Sequence, residues 1–349
     1  MESHRTYNID LKAETTEFFK PLEFNLGEIN YYILWLKKML TIRLVEDKLA
    51  YHKKIGDIKG PVHLGAGQEA IAVGVSHNLK KNDQVFGAHR SHAHLIALGS
   101  NIRKLFAEIL GRSTGHSKGM GGSMHLQDIK SGFYGSVPIV SGTIPIAVGA
   151  ALASKIEHRK SISVAYFGDG AVEEGVFHES LNLAKVLNCP VLFICENNLF
   201  SSHMHISERQ PFNSVSRFAI ANGINYRTID GNNIIQCVNA AKEMINLSRD
   251  LLTPTFIEAI TFRHYGHVDW REDIDVGVNR SKKDLEIWKN RDPIKRLKNL
   301  LFEKGILNSN EFEVIKNDIQ NHIDISWEKA INDPVPKEAD LYKYLYYDE

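Results

Sequence analysis

Cysteine is scarce in this chain of 349 residues: Cys189, Cys195 and Cys237 only, with no metal-ligand spacing and no paired framework. That excludes a disulfide scaffold and leaves reduced thiols, two of them in or beside an apolar strand. An excess of either charge is absent too. Lys and Arg total 42 against 42 Asp and Glu, and no basic patch dominates, so a nucleic-acid partner is not expected. Long apolar runs are missing. The longest uncharged stretch, around residues 137–154 and reaching back to Ser131, is interrupted by Pro138, Pro145 and glycines. It reads as a closely packed helix of small residues and not as a membrane span. Residues 1–20 carry Glu2, Asp10, Glu14 and Glu17 around no apolar centre. This argues against a secretory signal or an Arg-rich presequence and points to a cytoplasmic protein. No repeat is visible, and no glycine fingerprint follows an early strand, which counts against a dinucleotide-binding dehydrogenase.

What is present is a chain with 43% hydrophobic residues in which strand and helix patterns alternate. Residues 162–167, 191–195, 226–229 and 255–261 read as buried strands with helices between them. Long helices are expected over 26–55, 66–79 and 309–332. The pattern predicts an α/β fold: a parallel sheet, helices on both faces, and helical extensions at both ends. No linker divides it, so residues 1–349 read as one domain. Residues 111–135 are glycine-dense and read as an ordered loop region near a ligand. A polar, charged loop is expected over 269–280.

The informative motif is Gly168-Asp169-Gly170, followed after 26 residues by Asn197-Asn198. Each pair follows an apolar strand, and a right-handed crossover makes those strands parallel. Asp169 and Asn198 then converge on one sheet edge, where open α/β sheets bind ligands. Asp169 offers a carboxylate, Asn198 an amide oxygen, and the chain near Phe200 a backbone carbonyl. That is an oxygen set for magnesium, which shares its coordination with phosphate and water. Gly168 and Gly170 are expected to allow a sharp turn and a close approach to phosphate. Gly170 and Ala171 are expected to open a helix whose free N–H groups favour an anion, with Glu173 and Glu174 in its first turn. Either motif alone is an ordinary turn; their spacing makes a magnesium-diphosphate site.

Two histidine groups need weighing. His89, His92 and His94 are close enough in sequence to invite a zinc reading, yet no other motif points to them. Ordinary core or surface histidines are the alternative. His267 follows the strand 255–261 and should reach the ligand edge, with a satisfied loop histidine as its alternative.

The Gly-Asp-Gly and Asn-Asn pair resembles the thiamine diphosphate motif. The chain from about Tyr32 to Pro293 is similar to the alpha subunit of 2-oxo acid dehydrogenases that act in multienzyme complexes. The segments that carry the resemblance are Val62-His63-Leu64-Gly65-Ala66-Gly67-Gln68-Glu69-Ala70, His89-Arg90-Ser91-His92 and Lys118-Gly119-Met120-Gly121-Gly122-Ser123-Met124-His125. Glu196-Asn197-Asn198, Arg263-His264-Tyr265-Gly266-His267 and Arg291-Asp292-Pro293 complete them. Within that family the sequence leans to the pyruvate and acetoin branches.

The resemblance implies thiamine diphosphate and Mg2+ as cofactors. It implies that His89 and Arg90 contact the diphosphate, and that Val140, beside Ile139, holds the aminopyrimidine ring through its backbone. Gly168, Asp169, Gly170, Ala171 and Asn198 would bind the diphosphate and metal. His63 matches a histidine implicated in acyl transfer to a lipoyl arm, His92 lies near the active channel, and His267 lies near the reacting centre. A beta subunit would carry the glutamate that activates the cofactor ring, giving an assembly of two alpha and two beta chains. The implied donor is a small 2-oxo acid or acetoin, and the acceptor a lipoyl-bearing acyltransferase. Val268 stands where mitochondrial pyruvate relatives have a regulatory serine. Two other readings stay open: a specialised biosynthetic acyl transfer without lipoyl, and a non-catalytic interaction subunit.

Overall fold

The computed structural model describes residues 21–343, except positions 213, 269, 273, 276, 277 and 280. The acidic stretch 1–20 and those positions of the polar loop lie outside the described residues.

Six parallel strands make the central sheet: β1 (Gln84–Gly87), β2 (Phe133–Ser136), β3 (Ser163–Gly168), β4 (Val191–Asn197), β7 (Asn225–Asp230) and β8 (Thr255–Ile260). They lie in the order β2-β1-β3-β4-β8-β7. Between β4 and β7 sits a small hairpin, β5 (Phe200–Ser201) with β6 (Met204–His205). The four expected strands are all present. β1 and β2 are additions that were not legible in the sequence. Each has only four residues, and Gly87 or Gly135 interrupts its apolar pattern.

Apolar side chains split by strand parity, as a sheet buried on both faces requires. Val164, Tyr166, Leu192 and Ile194 join one core. Ala165, Phe167, Val191, Phe193 and Cys195 join the other. The first core is shared with α1 (Ile29–Lys54), α2 (Glu69–Ser76), α3 (His92–Ala97), α4 (Ile102–Ile109) and α9 (Ile234–Leu251). The tail helices α11 (Pro293–Glu303) and α12 (Ser309–Ile331) also join it. The second core is shared with α5 (Ile144–Ile156), α6 (Gly175–Val186) and α8 (Ser216–Ala221).

In α1, Trp35, Leu36, Met39, Ile42, Val45 and Leu49 repeat at helical spacing and are buried, which fixes the helix across the sheet's inner layer. α12 starts with a capping box: Asn308 Oδ1 accepts from Glu311 N at 3.0 Å, and Glu311 Oε2 accepts from Asn308 N at 2.9 Å. That pair satisfies two free donors of the first turn. The expected polar loop 269–280 contains a short antiparallel pair, Ile274–Asp275 with Val278–Asn279. No described helix is long and apolar enough to cross a membrane.

Candidate functional site

The register of β3 and β4 decides where the motif residues go. Gly168 pairs with Glu196, one residue before the end of β4, so Asp169 and Asn198 leave the sheet side by side at its carboxyl edge. There they line a cavity of about 340 Å³ together with His63, Gln68, His89, Arg90 and His267. A larger open cleft of about 670 Å³ lies elsewhere, against Asp47, Lys54 and Trp270. It holds none of the residues expected to bind the cofactor or metal, and the smaller cavity is the candidate site.

Asp169 is buried, at 1% exposure. Its Oδ2 accepts from Arg209 Nη2, while Oδ1 has no hydrogen-bond partner among the described residues. Burial raises the carboxyl's pKa and the Arg209 charge lowers it, burial being the larger effect. Arg209 also binds Glu173. Asn198 Nδ2 donates to Gln68 Oε1 at 3.2 Å, and Asn198 Oδ1 accepts from Phe200 N at 3.2 Å. The tight turn into the hairpin puts Leu199 (φ 70°) and Ser202 (φ 53°) in the left-handed region. That conformation is costly for side-chain-bearing residues. Arg263, fully buried, holds the turn by donating to Ser202 O at 2.6 Å.

Two expectations about this turn are corrected. Neither Gly168 nor Gly170 has a positive φ, so neither is needed for a sharp turn. Gly168 is a matter of room: a Cβ there would meet no atom within 4 Å, on a residue that lines the cavity. Gly170 is a matter of approach, since a Cβ would lie 2.8 Å from Ser201 Cβ. Nor do Gly170 and Ala171 open a long helix. Asp169–Glu173 forms a 3-10 turn, Glu174 is extended (ψ 136°), and α6 begins only at Gly175. Glu173, held by Arg209 and by Gln210 Nε2 at 2.9 Å, ends the turn instead of serving in a first helical turn.

The other walls come from separate loops. Arg90 donates to Leu64 O at 2.5 Å, and its Nη2 lies 3.3 Å from His267 Nδ1. Ser141 Oγ donates to Ala171 O at 2.6 Å, which ties the Val140 loop to the Asp169 turn. Val140 lines the cavity; Ile139, 71% exposed, does not. His63, His89 and His267 cluster on the wall, and all three are held neutral. Burial is the largest cause in each case, with Arg90 next. His89 is pushed down to about 3 and His267 to about 2.

His92 is not among the residues that line the cavity. Fully buried behind it, His92 pairs through Nδ1 with Glu46 (3.2 Å) and through Nε2 with Ser123 (2.8 Å). His94 instead stacks on Tyr166 at 3.8 Å and pairs with Glu196 at 3.2 Å. The sequence triplet His89, His92 and His94 therefore does not converge.

Residues that sequence reasoning missed include Gln68, Arg209 and Glu108. Gln68 follows a glycine whose φ is +100°, and a Cβ at that Gly67 would lie 2.7 Å from His264 Cδ2. Glu108, fully buried at the end of α4, organises the glycine-dense loop. Its carboxylate accepts from the backbone N–H of Ser117 (2.6 Å), Gly119 (2.9 Å), Gly121 (2.7 Å) and Gly122 (3.1 Å). A glutamate three positions before Gly-rich sequence gives no signal of this kind; only the folded loop shows it.

Residues 37–339 match the family model described as "Dehydrogenase E1 component". The chain belongs to the dehydrogenase E1 component family. It is 38% identical over 319 residues to the alpha subunit of acetoin:2,6-dichlorophenolindophenol oxidoreductase from Bacillus subtilis, covering 90% of this chain and 93% of that one. It is 33% identical to the pyruvate dehydrogenase E1 component subunit alpha of Rickettsia typhi, covering 90% and 95%. The acetoin:2,6-dichlorophenolindophenol oxidoreductase alpha subunit of Cupriavidus necator is 34% identical, with 89% and 92% covered. E1 components of this family depend on thiamine diphosphate, and the parallel sheet with its carboxyl-edge cavity is the expected α/β frame for that cofactor.

Proposed function

We propose that this chain is the alpha subunit of an enzyme that takes a small acyl unit from pyruvate, a similar 2-oxo acid or acetoin, and that it binds the diphosphate end of thiamine diphosphate through Mg2+. The observation that carries this is Asp169 Oδ1, an unpaired oxygen on a buried carboxylate that lines the cavity. Such a group is costly without a partner. A hard divalent cation is a suitable one, and Asn198 Oδ1 and the Phe200 main chain supply further oxygens beside it. Arg90, the room left at Gly168, and the N–H groups of the turn from Gly170 to Ala171 suit phosphate oxygens.

Thiamine diphosphate supplies the electron sink for decarboxylation or carbon–carbon cleavage. The chain's own residues bind, orient and exclude water. His63 Nδ1 is buried and has no hydrogen-bond partner among the described residues. As a neutral imidazole it can hydrogen-bond and orient the acyl group on its way to the acceptor. His267, also neutral, stands on the same wall.

The site as one chain provides it is half of what the reaction needs. Ile139, Val140 and Ile146 are exposed apolar groups beside the cavity and on the first turn of α5, which supports a beta subunit docking there with the cofactor-activating glutamate. A lipoyl-bearing acyltransferase is the proposed acceptor. The test is to co-express chain and beta partner and follow dye reduction and lipoyl acylation across pyruvate, longer 2-oxo acids and acetoin. Turnover of one donor only with thiamine diphosphate, Mg2+ and both chains supports the reading. A verified, folded assembly that binds cofactor but turns over no donor would leave a non-catalytic subunit.

A further inference from the structure

The histidines adjacent in sequence do not converge, but three from separate segments do. His63 precedes α2, His89 follows β1 and His267 follows β8. Each offers one ligand atom, and these atoms all lie within 4.8 Å of one another. The ring centroids are 4.6 Å apart for His63 and His89, 4.9 Å for His63 and His267, and 5.3 Å for His89 and His267.

In a tetrahedral zinc site with Zn–N of about 2.0–2.1 Å, the nitrogens stand roughly 3.3–3.4 Å apart. Rotamer adjustments on the order of 1 Å would therefore close this trio on an ion. An independent observation points the same way. His63 is 7% exposed, and its Nδ1 is buried without a hydrogen-bond partner among the described residues. The rings are neutral through burial, so ligation would displace no proton. Nitrogen donors without a carboxylate suit a borderline-soft transition metal and not Mg2+, which prefers oxygen. The Arg90 guanidinium, 3.3 Å from His267 Nδ1, opposes any cation here, so the site is of moderate affinity and not a permanent structural centre.

We infer that His63, His89 and His267 form a three-imidazole site for Zn2+, open at its fourth position, on the wall of the cavity that Asp169 and Asn198 also line. Zinc held there would sequester all three imidazoles and hinder the entry of cofactor or donor. Capture of the ion does not depend on the proposed function; only that inhibitory consequence rests on it.

The test uses the full chain in its alpha–beta assembly, freed of metal. Zn2+ is titrated against a chromophoric chelator, and Co2+ is used as a spectroscopic stand-in. The expected result is one Zn2+ per chain and intense visible cobalt bands of a four-coordinate site. His89→Tyr and His267→Gln should each weaken Zn2+ binding at least about tenfold, and their combination should remove it. His322→Ala, at an exposed histidine of α12 outside the trio, should change nothing. His89 is partly exposed, so its variant keeps the test valid if changes at buried His63 disturb folding. Zinc binding that is unchanged in the His89→Tyr and His267→Gln variants, or weak cobalt bands of a six-coordinate ion, would overturn the site. Zinc captured by the trio while thiamine diphosphate with Mg2+ binds the zinc-loaded assembly as tightly as the zinc-free one would uphold the site and overturn its inhibitory role. Thiamine diphosphate binding without zinc capture would overturn the site and leave the proposed function standing.

Discussion

Asn197 and Asn198 are neighbours with opposite destinations. Asn197 is fully buried, and its Nδ2 donates to Glu258 Oε1 at 2.8 Å, which ties β4 to β8. Asn198 points the other way, to the cavity, where it meets Gln68. Strand alternation separates the pair by role: one asparagine secures the sheet edge and the other faces the ligand cavity. Glu258 also accepts from Val215 N, Ser216 N and Ser216 Oγ. Asn197→Ala should therefore destabilise the fold by about 1–3 kcal/mol, whereas Asn198→Ala, which loses only the longer 3.2 Å contacts with Gln68 and Phe200, should cost less. Chemical denaturation of both variants checks this. Equal losses of stability would contradict the division.

Two glycines make a similar contrast. Gly67 needs its positive φ and has His264 against it, so Gly67→Ala should cost at least about 2 kcal/mol. Gly168 has an ordinary φ and open space around it. Gly168→Ala should keep the melting temperature and lose diphosphate affinity, because its methyl group enters the room the ligand needs. Thermal melts beside cofactor titrations distinguish strain from occupancy.

Glu108 should prove the keystone of the glycine-dense segment. Glu108→Ala removes the acceptor of four backbone N–H groups. With charged hydrogen bonds worth about 1.5–3 kcal/mol each and not additive, a loss of about 3 kcal/mol or more is expected. New protease cleavage between residues 115 and 122 should accompany it. A variant as resistant as the wild type would show that the loop holds its shape unaided.

Acid should weaken the fold through the histidine wall. His89 and His267 are held at about 3 and about 2, and His63 is lowered as well, against an unfolded value near 6.5. Below about pH 6.5 the unfolded chain binds protons that the folded chain refuses, so stability falls as pH falls. Each such group contributes a slope of at most about 1.4 kcal/mol per pH unit. Partial exposure of His89 and His267 reduces that. Replacing His63 with Gln should flatten the fall in stability between pH 6.5 and 5. An unchanged slope would place the acid sensitivity elsewhere.

The beta-docking face can be tested without touching the cavity. Ile146 is 54% exposed on α5, so Ile146→Asp should leave the chain's own melting temperature within error yet abolish co-purification with a beta partner. Retention of the complex would move the interface away from α5.

Much of this was legible in the sequence because apolar strands and an amphipathic helix leave unambiguous periods. The four longer strands, α1 and α12 were read within a few residues of their observed limits. The convergence of Asp169 with Asn198 followed from the parallel crossover alone. β1 and β2 were not legible, since four residues with a glycine carry too little pattern. The helix expected after Gly170 was misplaced because Arg209, 40 positions away, holds Asp169 and Glu173 in a 3-10 turn. Histidine proximity was misjudged for a related reason. Spacing brought His89, His92 and His94 together on paper, but α3 turns His92 and His94 into separate buried contacts, and loops from distant segments deliver His63 and His267 to His89.

The most direct test is calorimetric titration of thiamine diphosphate into the alpha–beta assembly, with and without Mg2+, for wild type, Asp169→Asn and Asn198→Ala. Wild type should bind in a magnesium-dependent way, and either variant should bind at least about a hundredfold (about 2.7 kcal/mol) more weakly. Binding that ignores Mg2+ and survives both substitutions would contradict the proposed diphosphate site.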